Sequence, residues 1–220
     1  MQEAIQILRV AKSILGMGSL LYHGTDKEAA GRQILSDKAL KPGSELVKKS
    51  NGFLTPVTGR VYLSQNLRYS IIYVLGGDIL GGELPPTWSK HDKYGYLFVV
   101  DPNDIREPQP DEDDIGRLIG EGLNGEKCPS WLLDMGKMGL TLRQLQKVKG
   151  GEYIYFAQAG KKLVKRMSQE QKRDLIDNWG ANVANEGEIQ IRQAWKFNKE
   201  KCPQLSRDGS NFFQLAERVM

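Results

Sequence analysis

The chain has 220 residues, 40% of them apolar and 26% charged, which is enough for one well-buried domain and short for two. No apolar run approaches the roughly 20 residues of a membrane span, and two cysteines (Cys128, Cys202) with two histidines (His23, His91) provide no metal-ligand spacing. The net charge of +4 and pI near 8.9 read as an ordinary solvated surface. Local concentrations at Lys48–Lys49, Lys161–Lys162–Lys165–Arg166 and Lys196–Lys199–Lys201 leave a nucleic-acid partner open.

In chain order, residues 1–18 read as an amphipathic N-terminal helix rather than a secretory leader, ended by GMGS. SLLYHGT is a short buried strand whose end carries His23. DKEAAGRQIL follows at helical spacing, with Asp26 suited to its N-terminal end. Lys41 to Thr58 is a Gly/Ser/Lys-rich surface loop, and GRVYLS is a second strand. QNLRYSIIYVLGG is a helix with Leu67, Ser70, Ile71, Val74 and Leu75 on one side, stopped by glycines. A polar loop containing His91 leads to YGYLFVVDP, the strand densest in aromatic and branched residues.

From Asp111 the pattern turns helical. DEDD at 111–114 suits a first helical turn, where carboxylates complement the macrodipole, better than a metal site. WLLDMGKMGLTLRQLQKV continues the helical period, Gly150–Gly151 breaks it, and one or two more helices run to Trp179. EGEIQIRQAWKF alternates as a late strand, and NFFQLAERVM reads as a closing helix. The expectation is one α+β domain over 1–220 with a helical insertion at 111–180.

LYHGT, then GRVYLS, then a helix with Ser70 and Tyr73 resembles the ADP-ribosyltransferase superfamily, in its His-Tyr-Glu (poly-ADP-ribose polymerase-like, diphtheria-toxin-like) branch. His23, Gly24 and Thr25 match its His-Gly-Ser/Thr strand end, and Tyr62, Leu63 and Ser64 match its second strand. Ser70 and Tyr73 stand eight and eleven residues beyond Tyr62, as in the polymerases. The matching stretch covers about a quarter of the chain, residues 20 to 75.

The resemblance implies two small packed antiparallel sheets forming a cleft for NAD, used as co-substrate with no metal. His23 would hold the adenosine ribose, and the Gly24 backbone and Ser70 hydroxyl the carboxamide; Thr25 and Ser64 complete the NAD-binding set. Tyr62 and Tyr73 would sandwich the nicotinamide ring. Cleaving the nicotinamide–ribose bond builds positive charge on the sugar, so a carboxylate is needed nearby. Two glutamates compete: Glu188, preferred, in the alternating EGEIQIR, and Glu152, in a string resembling the polymerases' Glu-Tyr-Ile.

The function implied is single transfer of ADP-ribose to a protein, RNA or DNA acceptor by a cytoplasmic toxin or host-modifying enzyme. An antitoxin or inhibitor protein is a further expected partner, and a membrane is not. An RNA 2′-phosphotransferase-like enzyme fits less well with two histidines, and a non-catalytic NAD- or nucleic-acid-binding module is the reading from another class.

Overall fold

The computed structural model describes residues 20–42, 59–76, 92–105, 107–152 and 157–220. The expected helix over 1–18, most of the Lys41–Thr58 loop and His91 lie outside these residues. The chain is α+β, with small antiparallel sheets and several helices. Among the described residues no helix is long and apolar enough to cross a membrane.

The chain divides into two compact units, with boundaries between Tyr62 and Leu63 and between Glu188 and Ile189 among others. The first holds Met1–Leu40, Leu63–Arg106 and Ile189–Met220; the second holds Lys41–Tyr62 and Glu107–Glu188.

In the first unit, β1 (Leu21–Thr25), β4 (Tyr94–Val100), β8 (Gln193–Asn198) and β9 (Glu217–Arg218) form one antiparallel sheet in that order. Helices α1 (Glu28–Asp37) and α2 (Leu67–Leu75) belong to this unit, and β2 (Ala39–Leu40) pairs with β7 (Ile189–Gln190). Residues 95–100 of β4 are all buried because both faces of the strand are covered. Gly95 lies against Val74 of α2, whereas the ring of Tyr96, one residue on, lies against Gly31 of α1. Successive side chains of a strand point to opposite faces, so covering both replaces polar alternation with a continuous apolar run. Ile71, Val74 and Leu75 of α2 pack with Leu97, Phe197 and Phe212 to make the core of this unit.

The second unit contains a three-stranded sheet, in the order β3 (Arg60–Leu63), β6 (Val183–Glu186), β5 (Gln109–Pro110), with Leu63 itself on the first-unit side of the boundary. Among the described residues it also carries five helices: α3 (Glu112–Leu123), α4 (Ser130–Gly139), α5 (Leu142–Lys149), α6 (Ala157–Val164) and α7 (Gln169–Asp177). Their apolar stripes meet in a separate core around Ile115, Ile119, Leu132, Leu163 and Leu175. Helix α3 begins at the acidic run as expected, with Asp111 accepting from the Asp113 N–H at its N-terminus.

Four local expectations are corrected. The helical period after Trp131 is split at Thr141, whose side chain and that of Gln144 cap a new helix reciprocally. Asp26 does not cap α1; the Glu28 N–H donates instead to Asp92, 64 positions on, at 2.7 Å. EGEIQIRQAWKF is not one strand, because Gly187 at φ +116° separates β6 from β7, and residues 191–192 separate β7 from β8. A side chain rarely tolerates that φ, so the glycine sets the break. The C-terminal segment forms a single helical turn, α8 (Phe212–Leu215), and then adds β9 to the sheet rather than closing as a helix.

Candidate functional site

In the first unit the packing of α2 on β1 gathers three of the expected residues. A Cβ at Gly24 would lie 2.2 Å from the Ser70 carbonyl oxygen and 3.0 Å from the Tyr73 Cβ. Glycine is therefore required by the close approach of helix to strand. Ser70 is buried, and its hydroxyl donates to the Tyr22 carbonyl at 3.4 Å, a long bond for two oxygens. Tyr73 is half-buried and meets Tyr69 edge-on, with ring centroids 5.3 Å apart and hydroxyls 3.2 Å apart. Tyr69 was not singled out in the sequence, although its spacing of four from Tyr73 places the two on one helix face.

The backbone at Gly24 has a particular aspect. Tyr22 exchanges both backbone hydrogen bonds with Ser64, at 2.8 and 2.9 Å, across an isolated bridge on the side of β1 away from β4. Hydrogen-bonding direction alternates along an antiparallel strand, so Gly24 turns its N–H and C=O to that same side. Among the described residues no strand continues the pairing beyond Ser64, and β1 ends its sheet. Gly24 thus presents a donor and an acceptor along an edge, next to Ser70 and Tyr73.

His23 lies on the other face of β1. It is opposite Phe98 in the register and stacks on that ring at 6.5 Å, on the face that bears Tyr96. Thr25 accepts from the Lys27 N–H at 3.3 Å. Ser64 is buried, with its hydroxyl accepting from the Asn66 N–H at 3.0 Å in the turn that starts α2. The side chains of Thr25 and Ser64 therefore both organise local turns.

Tyr62, Glu188 and Glu152 belong to the second unit. Strand alternation puts Arg60 and Tyr62 on one face of β3. There the Tyr62 hydroxyl donates to Glu112 Oε2 at 3.2 Å, and Arg60 Nη1 pairs with Glu112 Oε1. Arg60 and Glu112 are 5% and 1% exposed, so the ion pair is held out of water. The other side of the guanidinium donates to Glu186 Oε1, from Nε at 3.3 Å and Nη2 at 2.9 Å. These bonds, and the Arg60 charge, hold the Glu186 carboxyl below its usual range.

Glu188 is exposed, two residues further on, between Gly187 and β7. Glu152 is also exposed; it follows Gly151 in the turn that closes α5 and pairs with Lys147 at 3.3 Å. The Arg60–Glu112 pair escaped sequence reasoning because DEDD reads as a helix start, and one of its members turns inward. The available signal was the alternation of Arg60 and Tyr62, two polar-tipped side chains on the same face of a strand.

Asp113 carries a buried carboxylate oxygen, Oδ1, with no hydrogen-bond partner among the described residues. Burial, with the Glu112 and Asp114 charges, raises its pKa to about 6. Burial and the Asp114 and Asp113 charges push Asp111 well above the usual carboxylate range. Among the described residues no group of three or more His, Cys, Asp or Glu is placed to hold a metal ion. Cys128 is half-buried and Cys202 buried, and neither is in a disulfide. Compared with protein-family models, curated proteins and solved structures, the chain matches none.

Proposed function

We propose that the chain is an NAD-dependent mono-ADP-ribosyltransferase with the fold of that superfamily's His-Tyr-Glu branch. The observation that carries the reading is the open backbone edge at Gly24 beside Ser70 and Tyr73. A primary carboxamide offers one donor and one acceptor in a plane, the complement of a free N–H and C=O on a strand edge. The Ser70 hydroxyl, whose bond among the described residues is a long one to Tyr22, is the third polar group available to that amide. The Tyr73 ring, braced edge-on by Tyr69, provides a face for a pyridine. These are the residues that the family resemblance assigns to the nicotinamide end of NAD.

The remaining roles follow the same resemblance. The resemblance assigns His23 to the adenosine ribose; of the second unit's residues it assigns Tyr62 a stacking role and Glu188 the role of the carboxylate that stabilises developing charge and accepts the proton of the attacking group. Thr25 and Ser64 shape the strand ends around the dinucleotide. Glu152 is the alternative carboxylate. The transfer serves a toxin-like or host-modifying role in the cytoplasm, with a cognate inhibitor protein as a natural partner.

The test is incubation of the protein with NAD labelled in its adenylate and a cell lysate, followed by separate protease and nuclease digestion. Label should become macromolecular in the presence of wild-type protein and stay soluble with Tyr73→Ala. Absence of transfer to any macromolecule, with nicotinamide not released, would overturn the reading.

A further inference from the structure

The charge of the chain is unevenly placed. Between Lys137 and Arg166 there are eight cationic residues and one carboxylate, Glu152, a net +7 in a chain whose total is +4. The other 190 residues are therefore net −3. Only Lys147, which pairs with Glu152, makes an ion pair among the described residues; the other seven make none there.

The geometry concentrates part of this charge. At 100° per residue, Lys161, Lys162, Lys165 and Arg166 fall within an arc of about 140°. The opposite side of α6 buries Gly160, Leu163, Val164 and, just beyond the helix, Met167. The cationic face extends onto a second helix: Leu163 packs against Gly139 at the end of α4, and Arg166 Nη1 lies 3.6 Å from the Cβ position of that glycine. Lys137 is in the same last turn of α4 and is exposed.

Lys161 and Lys165 act in the same sense as Arg60 on the Glu186 carboxyl, two residues before Glu188. Unpaired like charges at this density repel one another, and a polyanion relieves that repulsion by releasing its own counterions.

We propose that this face of α6, with the end of α4, docks the phosphodiester backbone of a nucleic acid. The identification of that nucleic acid as the ADP-ribose acceptor rests on the transferase reading; the docking does not. The exposed large apolar side chains nearby, Met138 at 82% and Leu142 at 79%, are too few to seat a helix in a bilayer.

The experiment is fluorescence anisotropy of the full chain, without NAD, against labelled 20-nucleotide RNA, single-stranded DNA and duplex DNA at several salt concentrations. Polyglutamate and phosphatidylserine vesicles serve as the other polyanions. Lys162→Glu, Lys165→Glu and Arg166→Glu together should weaken binding of at least one nucleic acid more than tenfold. They should also flatten the salt dependence on a single strand by about two log units per log unit of salt. A matched triple at Lys41, Lys127 and Arg207, all exposed, should cost less than threefold. The proposal is overturned by equal losses in the two triples, by no nucleic-acid binding at low salt, or by polyglutamate or vesicles binding as tightly as the best nucleic acid. Because binding is read without NAD, a protein that docks nucleic acid but transfers nothing would refute the transferase reading and leave the docking intact.

Discussion

Tyr62 and Glu112, fifty positions apart in sequence, share a hydrogen bond of 3.2 Å, with the phenol donating to the carboxylate. The second oxygen of that carboxylate is taken by Arg60, two residues before the tyrosine. Glu112 thereby holds both polar side chains on one face of β3, and it is 1% exposed while doing so. A buried ion pair adds little net stability over an apolar packing, but removal of one member leaves the other charge stranded.

Glu112→Ala should therefore destabilise the second unit by about 3 kcal/mol, moderated by the remaining Glu186 contact to Arg60. Tyr62→Phe, which removes one of two bonds to the same carboxylate, should cost about 1 kcal/mol. Urea titrations of the two variants measure both. A Glu112→Ala variant as stable as wild type would show that the pair does not form.

Gly24→Ala tests the contact of β1 with α2. The added methyl meets a backbone carbonyl at 2.2 Å, which cannot rotate away as a flexible side chain would. A loss of about 3 kcal/mol, or failure to fold, is expected. An unchanged melting temperature would refute the packing.

The proposed transferase reading predicts different effects for the aromatic groups and the carboxylates. Tyr73→Ala and Tyr62→Ala should each weaken NAD binding about tenfold or more by calorimetry, through loss of ring stacking. Glu188→Gln should leave binding within about twofold and abolish transfer, since a neutral amide cannot balance charge at the ribose. If Glu188→Gln retained activity and Glu152→Gln lost it, the choice between the two carboxylates would reverse.

Stability should fall as pH rises through the acidic range because of Asp113. Its pKa is raised to about 6 in the folded chain from an ordinary aspartate value of 3.8, so the folded state binds more protons between those values. Stability therefore declines from pH 4 to 7, by an amount on the order of 2 kcal/mol from this group. Asp111, raised for the same reason, acts in the same direction. Glu186, lowered by Arg60, acts oppositely: its contribution is present above the unfolded pKa and is lost as pH falls below it. Asp113→Asn should raise the melting temperature at pH 7.5 and flatten its decline between pH 4 and 7. Thermal unfolding at four or five pH values would reveal a wild-type profile that instead rises over that range, which would exclude a buried ionised Asp113.

The amino-acid order alone determined the elements whose pattern is local and strong. YGYLFVV is a strand because branched and aromatic residues crowd it, and Leu67–Leu75 is a helix because Asn66 caps it and Gly76 ends it in the left-handed region. The acidic start of α3 was likewise legible. What tertiary structure alone decided is how those pieces meet. Hydrogen-bond partners distant in the chain leave no periodic trace, so neither Asp92 on the first turn of α1 nor Arg60 on Glu112 was visible. The close seating of α2 on Gly24, and the edge beside it that no strand among the described residues pairs, arise from strand order, which a linear pattern of apolar residues does not encode.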